Sequence, residues 1–137
     1  MALFSERLAR LSLHLRGWRS RSVDTCTGAL HWVETPGGGA LPTTVVLHGY
    51  NSSAGYNAPL LQALRPHVRR VIAPDLPAHG FSHAPSHLDG TLLYQGLRDA
   101  LDHALDGPVM LVGSSMGAAL ALRYAVASQP GHSLPVQ

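Results

Sequence analysis

Lysine is missing from this sequence, so all ten basic residues are arginine, and Cys26 is the single cysteine. One cysteine excludes a disulfide within the chain and is typical of a reducing compartment. No apolar run approaches the length of a transmembrane helix. A net charge of +2 without a clustered basic face gives no reason to expect a nucleic-acid partner. These absences predict a cytoplasmic protein.

The first 22 residues have the period of an amphipathic helix. Their apolar side chains form one narrow stripe, which consists of Phe4, Leu8, Leu11, Leu15 and Trp18. The segment is rich in arginine and serine with Glu6 as its one acid, so it also fits an organellar transit peptide. Three interpretations stay open: a leading helix that packs its stripe on the domain, a targeting segment, or a helix on a membrane surface. The sequence predicts a leading amphipathic helix over residues 1–22, followed by one domain over residues 23–137.

Short apolar strands alternate with helical segments along the rest of the chain. Strands are predicted at 30–34, 43–47, 68–74 and 109–112, and helices at 57–64, 93–105 and 118–128. The continuous apolar run at 43–47 is typical of a strand buried on both faces. The alternation predicts a three-layer α/β fold with a mostly parallel sheet and helices on both faces. Ligands bind such sheets at the carboxyl ends of the strands.

Residues 113–117, Gly-Ser-Ser-Met-Gly, join a predicted strand to a predicted helix. They fit the G-x-S-x-G nucleophile elbow, a sharp turn that lifts a serine clear of the sheet. Ser115 is the serine at the apex, because glycine stands two residues before it and two after it. The flanking glycines are needed where the strand and the helix nearly touch. The pattern predicts an exposed Ser115 hydroxyl beside a helix N-terminus.

Two further motifs follow predicted strands, ahead of the elbow. Residues 48–50 read His-Gly-Tyr, and residues 75–82 read Asp-Leu-Pro-Ala-His-Gly-Phe-Ser. With the three motifs in this order, the sequence resembles the α/β-hydrolase superfamily, in its branch of esterases, lipases and related serine hydrolases. The resemblance covers roughly residues 28–128. It implies that residues 23–137 form the N-terminal part of an α/β-hydrolase domain.

The resemblance implies a role for particular residues. Ser115 is expected to be the nucleophile, and the backbone N–H groups of Tyr50 and Met116 are expected to form an oxyanion hole. Each such donor stabilises a developing oxyanion by about 3 kcal/mol. Tyr50 and Asn51 are the candidate substrate-binding residues, and His79 is expected to be structural. No metal and no organic cofactor is implied.

The family orders its catalytic triad as serine, acid and histidine, and the last two follow strands beyond the elbow helix. The sequence ends at Gln137, soon after that helix, so we expect a fragment without the triad acid and histidine. The elbow strand would then form a sheet edge, which predicts self-association.

The leading functional hypothesis is a serine hydrolase that cleaves an ester, a related acyl bond or a C–C bond in a small-molecule acyl substrate. A serine at the elbow suits acyl transfer, whereas an aspartate there suits attack on an alkyl carbon. Two alternatives stay open. One is an inactive remnant with a binding or assembly role, and the other is an acyltransferase on the same fold.

Overall fold

The computed structural model describes residues 2–130, which form a five-stranded sheet covered by helices on both faces. Residues 131–137 of the predicted domain, His132 among them, lie outside the described residues. In chain order the elements are α1 Ala2–Leu15, β1 Arg19–Thr25, β2 Gly28–Pro36, β3 Thr43–Leu47, a 3₁₀ turn Gly55–Asn57, α2 Ala58–Leu64, β4 Arg70–Pro74, α3 Gly90–Ala104, β5 Val109–Gly113 and α4 Met116–Ala127.

The predicted α/β class is confirmed, and the sheet is mixed. Its strand order is β1-β2-β4-β3-β5. Strands β4, β3 and β5 are parallel, whereas β1 and β2 form an antiparallel hairpin that joins the sheet beside β4. The carboxyl ends of β3 and β5 therefore lie side by side, because Leu47 pairs with Gly113. Strand β5 is an edge of the described sheet.

Each face of the sheet has its own apolar core. Helices α3 and α4 cover one face, where the buried side chains include Leu47, Ile72, Leu97, Leu101, Leu120 and Tyr124. Helices α1 and α2 cover the other, where the buried side chains include Leu13, Trp18, Val46, Leu61 and Val71. The three layers thus hold β3 and β4 in the centre, with their apolar residues buried on both sides. No helix among residues 2–130 has the length and apolar character needed to cross a membrane.

Helix α1 turns its predicted apolar stripe away from the domain. Phe4, Leu8, Leu11 and Leu15 are between 52% and 80% exposed, and of the stripe only Trp18, beyond the helix, is buried. The prediction that this stripe packs on the domain is therefore wrong. The opposite face, which carries Glu6, Arg10 and Leu13, is buried instead. The helix also ends at Leu15, and residues 19–22 of the predicted leading helix belong to β1.

Candidate active site

Ser115 lies at a strained turn between β5 and α4. Its backbone has φ 52° and ψ −117°, which a residue with a side chain adopts only where the surrounding structure holds it. The Ser114 N–H donates to the carbonyl of Leu47 at 3.2 Å, and the Ser115 carbonyl accepts from Ala118 at 2.9 Å. These bonds fix the turn to the end of β3 and to the first turn of α4. The Ser115 side chain is exposed.

The two glycines of the elbow stand where no side chain fits. A Cβ on Gly113 would lie 2.5 Å from the carbonyl oxygen of Gly117 and 2.6 Å from the backbone nitrogen of Ala118. A Cβ on Gly117 would lie 2.6 Å from the carbonyl oxygen of His48. Strand β5, helix α4 and the end of β3 thus meet through backbone atoms, as the glycine spacing predicts.

The loop after β3 lies against the elbow. A Cβ built on Gly49 would be 3.4 Å from the Ser115 Cβ and 3.3 Å from the Ser114 carbonyl oxygen. Among residues 2–130, no backbone carbonyl accepts a hydrogen bond from the N–H of Tyr50 or of Met116. The structure therefore brings the predicted nucleophile beside the two segments that carry the predicted oxyanion donors.

Two histidines hold the loop after β3 through backbone groups. His48 is buried, donates from Nδ1 to the Gly49 carbonyl at 2.7 Å and accepts at Nε2 from the Leu76 N–H at 3.0 Å. Burial lowers the pKa of His48, so the neutral ring that these two bonds require is favoured. His79 donates from Nδ1 to the Pro77 carbonyl at 2.9 Å, and its Nε2 accepts from the Asn51 N–H at 3.3 Å.

These bonds bear on the predicted roles of His79 and Asn51. Both nitrogens of His79 are occupied by backbone groups, which fits a structural role for this side chain. Asn51 has φ 54° and donates its N–H to His79, so this N–H is not available to a substrate. The Tyr50 side chain is 79% exposed and meets the His79 ring edge-on, with ring centroids 6.0 Å apart.

Asp75 lies at the centre of a buried polar cluster that the sequence does not predict. Its fully buried carboxylate accepts from the Arg10 guanidinium and from His31 at 3.0 Å. It also accepts from the backbone N–H groups of Ala54 at 2.9 Å and Phe81 at 3.1 Å. The carboxylate therefore ties together α1, β2, the segment after the oxyanion loop and the loop after β4.

Burial by itself raises the pKa of Asp75, but the bond from His31 and the charge of Arg10 outweigh it and lower the pKa to about 2. The carboxylate is thus ionised and fully engaged. The local signal for this cluster is the spacing of Glu6 and Arg10, which pair one helical turn apart at 3.3 Å. Their partner Asp75 lies 65 positions further along the chain than Arg10.

The other acids and histidines of the loops do not assemble with Ser115. Asp89 caps α3 by accepting from the Leu92 N–H at 2.9 Å, and exposed His87 lies 3.3 Å from Asp89. His83 lies against Gly28 of the β1–β2 hairpin. No side chain among residues 2–130 makes a hydrogen bond to the Ser115 hydroxyl, and none of their acids, histidines and cysteines cluster as a metal site would.

Comparison with known proteins adds three sequence findings. A family model described as alpha/beta hydrolase fold matches residues 42–131. A pimeloyl-[acyl-carrier protein] methyl ester esterase from Xanthomonas campestris is 39% identical over 89 residues, or 65% of this chain and 33% of that protein. The dihydrolipoyllysine-residue acetyltransferase component of an acetoin cleaving system from Pseudomonas putida is 39% identical over 101 residues, or 70% of this chain and 26% of that protein. The chain thus spans about a third of these relatives or less.

Solved structures share the fold. An epoxide hydrolase from Vigna radiata has a TM-score of 0.71 at 24% identity, over 83% of this chain and 36% of that chain. A haloalkane dehalogenase variant from Bradyrhizobium elkanii has a TM-score of 0.69 at 24% identity, over 80% of this chain and 36% of that chain.

Proposed function

The chain belongs to the α/β-hydrolase fold family, and on that basis we propose that it is a serine hydrolase acting on an ester of a small-molecule acyl substrate. The observation that supports this most directly is the strained, exposed Ser115 between β5 and α4, with Gly49 of the loop after β3 packed against it. The methyl ester esterase named above supports the choice of an ester bond.

In the proposed reaction the Ser115 oxygen attacks the acyl carbonyl carbon and loses its proton to a base. The carbonyl oxygen becomes an oxyanion, which the N–H groups of Tyr50 and Met116 stabilise by about 3 kcal/mol each. The C–O bond to the alcohol then breaks, and the alcohol leaves with the proton. Water then attacks the acyl carbon of the acyl-serine, and the bond between that carbon and the Ser115 oxygen breaks. The acid and the free serine are released.

Residues 2–130 offer no group that could act as the base and accept the Ser115 proton. Both ring nitrogens of His48 and His79 bond to backbone atoms, and no histidine among these residues bonds to Ser115. Within the described residues the serine therefore relies on the oxyanion hole, which on its own supports only a small fraction of the full rate. We expect slow ester turnover from this chain.

The test is hydrolysis of p-nitrophenyl esters of graded acyl length. We expect Ser115→Ala to lower the rate to that of the blank, and Ser114→Ala, the matched control one residue away, to keep the wild-type rate. His79→Ala should change the rate by less than tenfold, because its nitrogens serve the backbone. Turnover that survives Ser115→Ala, or a thousandfold loss in His79→Ala, would contradict the proposal.

Acyl transfer is the second candidate, and the acetyltransferase component from Pseudomonas putida favours it. In this reaction an alcohol or thiol takes the place of water in attacking the acyl-serine. Product analysis separates the two: a hydrolase releases the free acid when a thiol is added, whereas a transferase gives a thioester. A chain that forms neither product would support the non-catalytic alternative, a binding or assembly role.

A further inference from the structure

Helix α1 presents an apolar stripe to solvent over its whole length. Phe4, Leu8, Leu11 and Leu15 are 71%, 52%, 54% and 80% exposed, and their spacing places them on one side of the helix. We call this set the α1 stripe. Four large apolar side chains in one row are more than the single exposed leucines that a soluble surface ordinarily carries.

The buried side of α1 fixes this orientation. Arg10 contacts the buried Asp75 carboxylate and lies 3.7 Å above the Phe81 ring, while Leu13 packs in the core beneath α1. Rotating the helix to bury the stripe would pull Arg10 away from Asp75, leave an uncompensated buried charge and remove Leu13 from the core. The outward stripe is therefore a stable feature of the fold.

The charge around the stripe is of one sign. Glu6 is the only acid before Asp24, and it is buried and paired with Arg10. Arg7, Arg16 and Arg19 are exposed along and just beyond the helix. The exposed side chains of fixed charge before Asp24 are thus all cations, which complements a negatively charged partner.

A second feature at the end of α1 points to the same kind of partner. A cleft of about 370 Å³ begins at Gly17, two residues past the stripe, and five arginines line it: Arg19, Arg21, Arg65, Arg69 and Arg70. We call it the arginine cleft. Its one acid, Glu34, already pairs with Arg70 and with Arg21 at 3.0 Å.

That leaves Arg19, Arg65 and Arg69 with no carboxylate partner among residues 2–130. Arg65 joins the cleft to the helix, because it donates to the Arg16 carbonyl at 2.7 Å. Planar guanidinium groups bind phosphate oxygens in pairs, so a cleft of this composition suits a phosphate group.

We propose that this face docks the protein on an anionic phospholipid bilayer, with the α1 stripe in the interfacial region and the arginine cleft on phosphate headgroups. Apolar side chains flanked by arginines have the composition of helices that lie in the plane of a membrane interface. A second copy of this chain fits less well, because a symmetric contact through the stripe would bring unpaired arginines against one another. The proposal stands independently of Ser115.

Docking would also bring the segment packed beside the start of α1 towards the bilayer. Helix α1 packs on the 3₁₀ turn Gly55–Asn57, where Ser5 and Tyr56 are joined by a 3.1 Å hydrogen bond. That turn follows directly on the loop that carries Tyr50.

The test is flotation of the full chain with vesicles of phosphatidylglycerol and phosphatidylcholine, against vesicles of phosphatidylcholine alone. We expect binding to the anionic vesicles only. Leu8→Ser with Leu11→Ser should weaken binding at least about tenfold, since two interfacial leucines are lost. Arg19→Ser with Arg69→Ser should weaken it by about fivefold per arginine and flatten its dependence on salt. Leu122→Ser, at a 69%-exposed leucine on α4, is the matched control and should bind as wild type.

Three results would overturn the proposal. The first is equal flotation of the stripe variant and the wild type. The second is equal binding to the neutral vesicles, since the negative charge of the headgroups would then contribute nothing. The third is that, without lipid, the wild-type protein sediments as a dimer and the stripe variant as a monomer. That outcome would mean that the stripe binds a second copy of the chain. Circular dichroism melting shows that the variants, all at exposed positions, remain folded.

Discussion

At the scale of single residues, Asp75 connects the parts of the molecule that surround the candidate site. It accepts four hydrogen bonds while fully buried, and two of them come from backbone N–H groups in the loops after β3 and β4. A charge in that position is stable only because Arg10 and His31 face it. Its ionisation state therefore affects the fold as a whole.

We predict that Asp75 makes stability depend on pH in the acid range. Its pKa is lowered from 3.8 to about 2 on folding, so its contribution is present above pH 4 and is lost as the pH falls towards 2. A shift of this size is worth about 2 kcal/mol at neutral pH. Urea titrations between pH 2 and pH 7 measure it.

The matched variants are Asp75→Asn and Asp24→Asn, the second at an exposed acid on β1. Asp75→Asn should be less stable at pH 7 and should lose less stability between pH 4 and pH 2 than the wild type. Asp24→Asn should follow the wild-type curve. If the free energy of unfolding of Asp75→Asn fell in parallel with that of the wild type between pH 4 and pH 2, the Asp75 carboxylate would not be the cause of the acid dependence.

The glycine spacing predicts the tight turn between β5 and α4, whereas no pattern predicts the Asp75 cluster. The elbow is local: Gly113, Ser115 and Gly117 stand within five positions, and the backbone contacts of the two glycines follow from their spacing. The cluster joins α1 to a loop far along the chain, and no short-range pattern indicates which acid a buried arginine will meet. The family resemblance did indicate the 75–82 loop, but not the partner of its aspartate.

At the scale of elements, α1 shows how a charged pair decides which face of a helix is buried. Packing of the stripe on the domain is one of three interpretations that the sequence leaves open, and the structure buries Glu6, Arg10 and Leu13 instead. The residues that decide this, Asp75 and Phe81, lie in the loop after β4. Strand β1 was also not predicted, because its polar sequence, Arg-Ser-Arg-Ser-Val-Asp-Thr, carries no apolar alternation and most of it is exposed.

We predict that Arg10 and Arg7, one turn apart on α1, differ sharply in their effect on stability. Arg10→Met removes a buried cation and leaves Asp75 uncompensated, so we expect a loss of about 3 kcal/mol. Arg7→Met changes an exposed residue and should stay within about 0.5 kcal/mol of wild type. Equilibrium unfolding in urea gives both values. Equal stability of the two variants would mean that α1 is not held through Arg10.

The same pair bears on the interpretation of residues 1–22 as a targeting segment. A removable segment contributes little to the fold that remains after its cleavage. A large loss in Arg10→Met would therefore favour α1 as a permanent part of the domain. A domain that is equally stable without residues 1–18 would favour the targeting interpretation.

At the scale of the whole molecule, the predicted sheet edge is present at β5. This strand pairs with β3 on one side and with no other strand among residues 2–130. Beside it lies an apolar cleft of about 510 Å³ between α3 and α4, lined by Leu105, Val109, Leu111 and Tyr124 among others. An unpaired edge next to an apolar cleft favours association with another strand.

We therefore predict that the chain self-associates through β5 as its concentration rises. Met110→Lys puts a charge on this half-buried edge strand and should shift the equilibrium towards monomer, because charged side chains block edge pairing. Leu122→Lys, on the outer side of α4, is the control and should behave as wild type. Sedimentation velocity at several concentrations measures the equilibrium, and a wild type that stays monomeric throughout would contradict this use of the edge.

The proposal depends above all on Ser115 acting as the nucleophile, which a fluorophosphonate probe followed by peptide mass spectrometry tests without requiring turnover. Because residues 2–130 supply no base for Ser115, we expect a slowly forming adduct, at most one per chain, on the peptide that contains Ser115, absent in Ser115→Ala and retained in Ser114→Ala. No adduct on the folded wild-type chain, or an adduct that persists in Ser115→Ala, would contradict it.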